Sequence, residues 1–185
     1  MGKLIYTALM SLDGFMSDDV GNFDWAEPQE DVHRYINILE DKINLVLYGR
    51  KMYEILSVWE NIPDIENQQE YIKEYERAWK KQRKIVFSSK INAVSTLNTE
   101  LMRSFDRDEI VRLKKDESGD IGIGGANLAS QALDLGLVDE LMIFIYPILI
   151  GKGIKWLSTN KPVQLEIMNV KEFKNGVVMI HYSVK

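Results

Sequence analysis

The chain has 185 residues, 28 acidic and 23 basic, for a formal charge of −5, and it contains no cysteine. Without thiols there are no disulfides, zinc thiolates, iron–sulfur clusters or cysteine nucleophile, which fits a reducing, cytoplasmic setting. The acidic balance argues against nucleic acid, which is met by basic stripes, and no run approaches the ~20 apolar residues of a membrane span.

Residues 3–11 alternate and are rich in β-formers, so they read as a buried first strand rather than a signal peptide. A long loop from Asp13 to Pro28 carries Gly14, Gly21 and the aromatics Phe15, Phe23 and Trp25. Val32, Tyr35, Ile36 and Leu39 then recur at helical spacing between Glu30 and Asp41. Asn44–Tyr48 is a continuous apolar run that passes through Gly49 into a helix beginning Arg50-Lys51-Met52-Tyr53-Glu54. An acidic, tyrosine-rich helix is expected from Glu66 to Lys80. The basic run Lys80-Lys81-Gln82-Arg83-Lys84 closes it and complements the helix dipole, with no need for a nucleic-acid partner.

The strand–turn–helix pattern recurs twice, at Lys84–Phe87 running into Ser88-Ser89-Lys90 and at Asp120–Ile123 running into Gly124-Gly125-Ala126-Asn127 and a helix from Leu128 to Leu135. Strands alternating with helices imply an α/β fold, a mostly parallel sheet covered on both faces. The ending differs. Val138–Leu149, Gln164–Phe173 and Val177–Val184 are β-rich, with Lys174-Asn175-Gly176 as a hairpin turn, so the sheet closes on antiparallel strands. No linker, composition break or repeat divides the chain, which reads as a single domain. Trp59, Trp79 and Trp156 read as core or interface aromatics, His33 as a helix-surface residue and His181 as part of the last strand. With two histidines and no cysteine, no metal site is expected. There is no G-x-S-x-G elbow and no P-loop.

In open α/β sheets ligands bind beyond the carboxyl ends of the strands, where helix amino termini point N–H groups outward. Three such ends carry small or cationic residues: Gly49-Arg50-Lys51, Ser88-Ser89-Lys90 and Gly124-Gly125-Ala126-Asn127. Each alone is equally a turn chosen for geometry, and Gly122-Ile123-Gly124-Gly125 lacks the G-x-G-x-x-G spacing. Together they describe a site for a phosphorylated dinucleotide.

Gly49-Arg50-Lys51-Met52-Tyr53-Glu54 after an apolar strand resembles the G-R-x-T-x-E segment of dihydrofolate reductases and riboflavin-biosynthesis reductase domains. Ser11-Leu12-Asp13-Gly14-Phe15, Ile121–Ala126, Gly136–Leu141 and Pro147–Gly153 are closer to the carboxy-terminal reductase domain of the bifunctional deaminase-reductases of riboflavin biosynthesis, here standing alone. The segments keep the family order along nearly the whole chain.

The resemblance implies the dihydrofolate-reductase-like three-layer αβα sandwich, with NADPH as hydride donor. It places Gly49, Arg50 and Lys51 at the cofactor phosphates, with Met52 beside the cofactor in place of the family's threonine and its hydroxyl, and Ser88, Ser89 and Lys90 around the 2′-phosphate. Gly124, Gly125, Ala126 and Asn127 cradle the pyrophosphate, with a cis bond between Gly124 and Gly125; Gly122 is a further cofactor residue, and Ala8 meets the nicotinamide or substrate. The Asp13–Trp25 loop is the expected lid, with Trp25 and Arg34 toward the substrate. The expected acids are Glu30 or Asp31, and Asp13. The competing readings are acids in a first helical turn and an ordinary Asp-Gly turn. Arg34, Lys152 and Lys155 are cations available to a phosphorylated substrate. The implied activity is reduction of a small heterocyclic or sugar-phosphate molecule, with 5-amino-6-(5-phosphoribosylamino)uracil reductase as precedent. The alternatives are an NADPH-binding protein that lacks this activity and a dihydrofolate reductase. A homodimer is expected from the same likeness and from apolar carboxy-terminal edges.

Overall fold

The structure, a computed structural model, describes residues 1–185. In chain order the strands are β1 (Leu4–Ser11), β2 (Phe15–Ser17), β3 (Ile43–Gly49), β4 (Arg83–Phe87), β5 (Thr99–Met102), β6 (Asp120–Gly124), β7 (Glu140–Tyr146), β8 (Ile154–Lys155), β9 (Leu165–Glu172) and β10 (Val178–Val184). The α-helices are α1 (Glu30–Glu40), α2 (Arg50–Leu56), α3 (Glu70–Lys81), α4 (Arg107–Asp116) and α5 (Ala126–Asp134). Eight strands form one sheet in the order β5-β4-β3-β6-β1-β7-β10-β9. The first six run parallel, and β10 is antiparallel to both β7 and β9. β2 and β8 make a separate two-stranded ladder.

Strand alternation sends side chains to two cores. Leu4, Tyr6 and Ala8 of β1 and Leu45 and Leu47 of β3 face Ile110 of α4 and Leu128, Ala129, Ala132 and Leu133 of α5. The alanines let α5 settle close to the sheet. On the opposite face, Phe144, Tyr146 and Met179 meet Val32 and Ile36 of α1. Val46, Tyr48 and Val86 pack on Tyr53 of α2 and Trp79 of α3. The result is the αβα sandwich with an antiparallel ending. No helix is long and apolar enough to cross a membrane.

Four features differ from the sequence expectation. No helix follows β4: residues 88–98 run directly to β5, which lies parallel beside it. α3 begins at Glu70 rather than Glu66, because Ile65–Asn67 forms a separate short 3-10 turn after Asp64, a residue at φ 53°. β5 and α4 carry little apolar periodicity, which hid them. Yet Asp106 caps α4 by accepting from the Asp108 and Glu109 amides, and Lys114 and Lys115 close it, a recognisable start and stop.

His33 is the fourth. It is buried, not on the surface, because α1 is covered on one side by the sheet and on another by α3. Its ring lies 5.0 Å from that of Tyr71, 5.4 Å from Tyr75 and 5.9 Å from Trp59, and its Nδ1 is 3.1 Å from Asn37 Oδ1. Burial pulls its pKa below the ordinary histidine value, while Asn37 and the charge of Glu74 oppose that shift. The unfolded chain therefore protonates first as the pH falls through about 6.5. The contribution of neutral His33 is complete above that pH and declines below it, toward the lower folded pKa. Urea midpoints should fall more between pH 7.5 and 5.5 for the native chain than for His33→Gln. Equal falls would remove His33 as the cause.

Candidate functional site

β4, β3 and β6 are neighbours, with Gly49 beside Phe87 and Tyr48 beside Gly124. The three turns that follow them therefore leave the sheet side by side at one edge. A Cβ built on Gly125 would lie 3.8 Å from the Gly49 nitrogen and 3.4 Å from Met52 Cβ. One built on Gly124 would sit 2.7 Å from the Tyr48 ring. The two turns thus come within contact of each other, and at Gly124 the Tyr48 ring leaves no room for a side chain. Gly125 holds φ 100° and ψ 121°, a conformation open to glycine, and it does so through a trans peptide. The expected cis bond is absent: the positive φ makes the turn. No side chain caps the first turn of α5, so its N–H groups remain available to an anion.

Ser88 is buried, and its hydroxyl accepts from the Lys90 and Ile91 amides at 3.0 and 3.4 Å. That bond folds the turn and leaves Ser89 and Lys90 exposed beyond it. Arg103, just past β5, reaches back and donates to the carbonyls of Ser88 (3.2 Å) and Ile91 (2.5 Å). This guanidinium at the mouth of the serine turn escaped the sequence reading. Its position depends on β5 lying parallel to β4, and β5 gave no sequence signal.

Other expected cofactor residues are placed differently. Gly122 is inside β6, where a Cβ would crowd Ile43 and Val46, so packing accounts for it. The Ala8 side chain is buried in the larger core. Arg50 donates to both carboxylate oxygens of Glu54 at 2.8 Å, so its charge runs along α2. Lys51 and Asn127 are exposed, and Asn127 accepts from Gln131 at 2.6 Å. Met52 packs against the glycine pair in place of a hydroxyl.

The expected acids are engaged elsewhere. Asp13 accepts from the Ser11 hydroxyl at 2.6 Å and from the Ile150 and Gly151 amides, clasping the end of β1 to the segment after β7. The Ser11 hydroxyl foremost, then those amides, hold its carboxyl below the ordinary range against some desolvation. Glu30 is exposed and accepts from Arg34 at 2.9 Å. Asp31 accepts from the Val32 and Lys174 amides, tying α1 to the β9–β10 turn. Arg34, shared by Glu30 and Glu74, lines a groove between α1 and α3 rather than the strand ends. Lys152 pairs with Asp19, and Lys155 is exposed in β8. β2 pairs with β8, and Gly14 accepts from the Trp156 amide, so the first part of the expected lid is anchored.

At the end of β7, a cavity of about 220 Å³ is lined by Trp25, Glu27, Gln29, Tyr146, Ile148 and Asn175, among others. Trp25 and Tyr146 meet edge-on at 5.9 Å, and their Nε1 and Oη atoms are buried without partners. Burial, with the charge of Asp31, raises the Tyr146 pKa, so its phenol stays protonated. β7 lies beside β1, with Tyr146 opposite Ser11, which puts this cavity on the same edge of the sheet as the glycine turns.

The model of the RibD C-terminal domain family matches residues 2–179. The chain is 29% identical to the uncharacterized protein YyaP of Bacillus subtilis, over 97% of this chain and 94% of that one. It superposes on a putative riboflavin biosynthesis protein from Shewanella sp. PV-4 with a TM-score of 0.79 and 19% identity, covering 99% of each chain. It superposes on dihydrofolate reductase from Enterococcus faecalis complexed with NADP(H) with a TM-score of 0.65 and 13% identity, covering 100% and 97%.

Proposed function

Because the chain belongs to the RibD C-terminal domain family, we propose that it is a cytoplasmic, NADPH-dependent oxidoreductase acting on a small heterocyclic or sugar-phosphate substrate. The observation that carries this is the pair of glycine turns backed onto each other beside the uncapped amino terminus of α5. Glycine lets a pyrophosphate approach the backbone, and the free N–H groups complement its charge. Ser89, Lys90 and Arg103 supply a hydroxyl and two cations for the 2′-phosphate. The cofactor brings the hydride chemistry, and the protein aligns the substrate, excludes water and holds a proton. With Asp13, Glu30 and Asp31 engaged in structural bonds, Trp25 Nε1 and Tyr146 Oη are the donors that would orient a substrate.

Calorimetric titration tests the reading: NADPH binds more tightly than NADH, and no heat with either removes it. Arg103→Ala should weaken NADPH about tenfold to a hundredfold, the worth of a charge-assisted bond, and leave NADH unchanged. A parallel loss for both cofactors would place Arg103 away from the 2′-phosphate. The engagement of all three acids favours a second reading, a cofactor-binding protein without reductase turnover. Tight NADPH binding without oxidation across a panel of pyrimidines, pterins, carbonyls and imines selects that one.

A further inference from the structure

A nucleotide that carries both a pyrophosphate and a 2′-phosphate meets two turns at once. Its affinity depends on the second turn being held where the first contact delivers it. β3 and β4 are paired as far as Gly49 and Phe87, which fixes where the two turns begin. Beyond Phe87 the chain leaves the sheet and rejoins it at β5, after residues 88–98. Ser89 and Lys90 are exposed on that segment and take their position from the residues on either side. We propose, on the cofactor reading above, that Tyr53 is the positioning residue that holds the serine turn in register with the pyrophosphate turns. The preference for a 2′-phosphate then depends on it.

Tyr53 projects from α2, the helix that starts at Gly49, and it is 4% exposed. Its ring belongs to the small core of Val46, Tyr48, Trp79 and Val86, on which Ile91 and Val94 also pack. Its hydroxyl reaches the segment itself. It accepts from the Ser95 amide at 2.9 Å and from the Thr96 hydroxyl at 3.3 Å, with Ser95 Oγ 3.5 Å away. One side chain of the pyrophosphate-turn helix thus supports and bonds the segment that carries the serine turn.

The other ties do different work. The Leu97 amide donates to Glu60 at 3.2 Å and the Asn98 side chain to the Lys80 carbonyl at 2.8 Å, which secure the return into β5. Arg103 holds the carbonyls of Ser88 and Ile91 through Nη1. A phosphate that engages Arg103 competes with those carbonyls for its protons, and the Tyr53 tie is untouched by that competition. NADH, which lacks the 2′-phosphate, has no group to place at the serine turn. Loosening the segment therefore weakens NADPH and spares NADH.

Tyr53→Phe keeps the ring and its packing and removes the acceptor. Ser95 is exposed, so water can take over its amide and the fold should melt close to the native temperature. Calorimetry should show NADPH weakened about threefold to tenfold, the worth of a hydrogen bond, with NADH unchanged. Hydrogen exchange of the cofactor-free protein, followed by mass spectrometry, should quicken across residues 88–98 and stay native in α5. Thr96→Val, which removes one of the donors, should act in the same direction more weakly and add little to Tyr53→Phe. Native exchange across 88–98, equal weakening of both cofactors, or undiminished NADPH affinity in Tyr53→Phe overturns the proposal and leaves the cofactor reading standing. A native chain that binds neither cofactor removes that reading, and the positioning role with it.

Discussion

Trp79→Ala should lower the unfolding free energy by about 3–5 kcal/mol, the usual cost of truncating a buried tryptophan. The indole is 1% exposed and lies 5.7 Å from the Tyr48 ring beneath β3 and β4. It also organises polar groups that cannot easily be left alone in a core. Its Nε1 donates to Glu60 at 3.2 Å, and its own carbonyl accepts from the buried Lys84 ammonium at 2.6 Å, which also lies 4.8 Å over the ring. Removing the ring opens a void, takes a donor from Glu60 and deprives the Lys84 cation of its aromatic face. Burial already depresses the Lys84 pKa, and no cation–π contact would then oppose that. Urea denaturation followed by fluorescence of the remaining tryptophans measures the change. A loss below about 1 kcal/mol would mean that this core can collapse around the deletion.

Gly125→Ala should destabilise the fold by about 1–3 kcal/mol and weaken NADPH binding at least tenfold. The backbone there, at φ 100° and ψ 121°, is closed to residues bearing a Cβ. The added methyl would approach Met52 Cβ to 3.4 Å and the Gly49 nitrogen to 3.8 Å, so the strain is in the backbone before it is in packing. Relaxing φ rotates the peptide that leads into α5 and turns its first N–H groups away from where a pyrophosphate would lie. Thermal melting and calorimetry separate the two effects. A folded Gly125→Ala protein that binds NADPH as the native chain does would place the cofactor elsewhere.

These two sites differ in how visible they were. The glycines of the turn after β6 were visible as a strand-to-helix turn, and they pointed to a ligand only together with the other two strand ends. Trp79 read as a core or interface aromatic, but its tie to Glu60 and Lys84 joins segments that nothing in the sequence pairs. His33 shows the same limit more sharply. The periodicity of α1 marked Val32, Tyr35, Ile36 and Leu39 as its buried face and left His33 on the surface, and its burial came from α3 packing over it.

The acids show a related dependence. The family resemblance implied Asp13, Glu30 and Asp31, and the partners they have in the fold are the Ile150 and Gly151 amides, Arg34 and the Lys174 amide. Whether a carboxylate is free to do chemistry depends on groups that are mostly far away along the chain. Arg103 was missed by the same logic in reverse, since it joins the serine turn only because β5 lies beside β4.

By itself the sequence determined the αβα class, the antiparallel ending, the three strand-end turns and the absence of thiol chemistry. Those features are written in local periodicity, turn residues and composition. Tertiary structure alone decided which charges are already paired and which buried donors lack partners. Hydrogen bonding and burial are properties of neighbours in space, and the chain pattern does not name those neighbours.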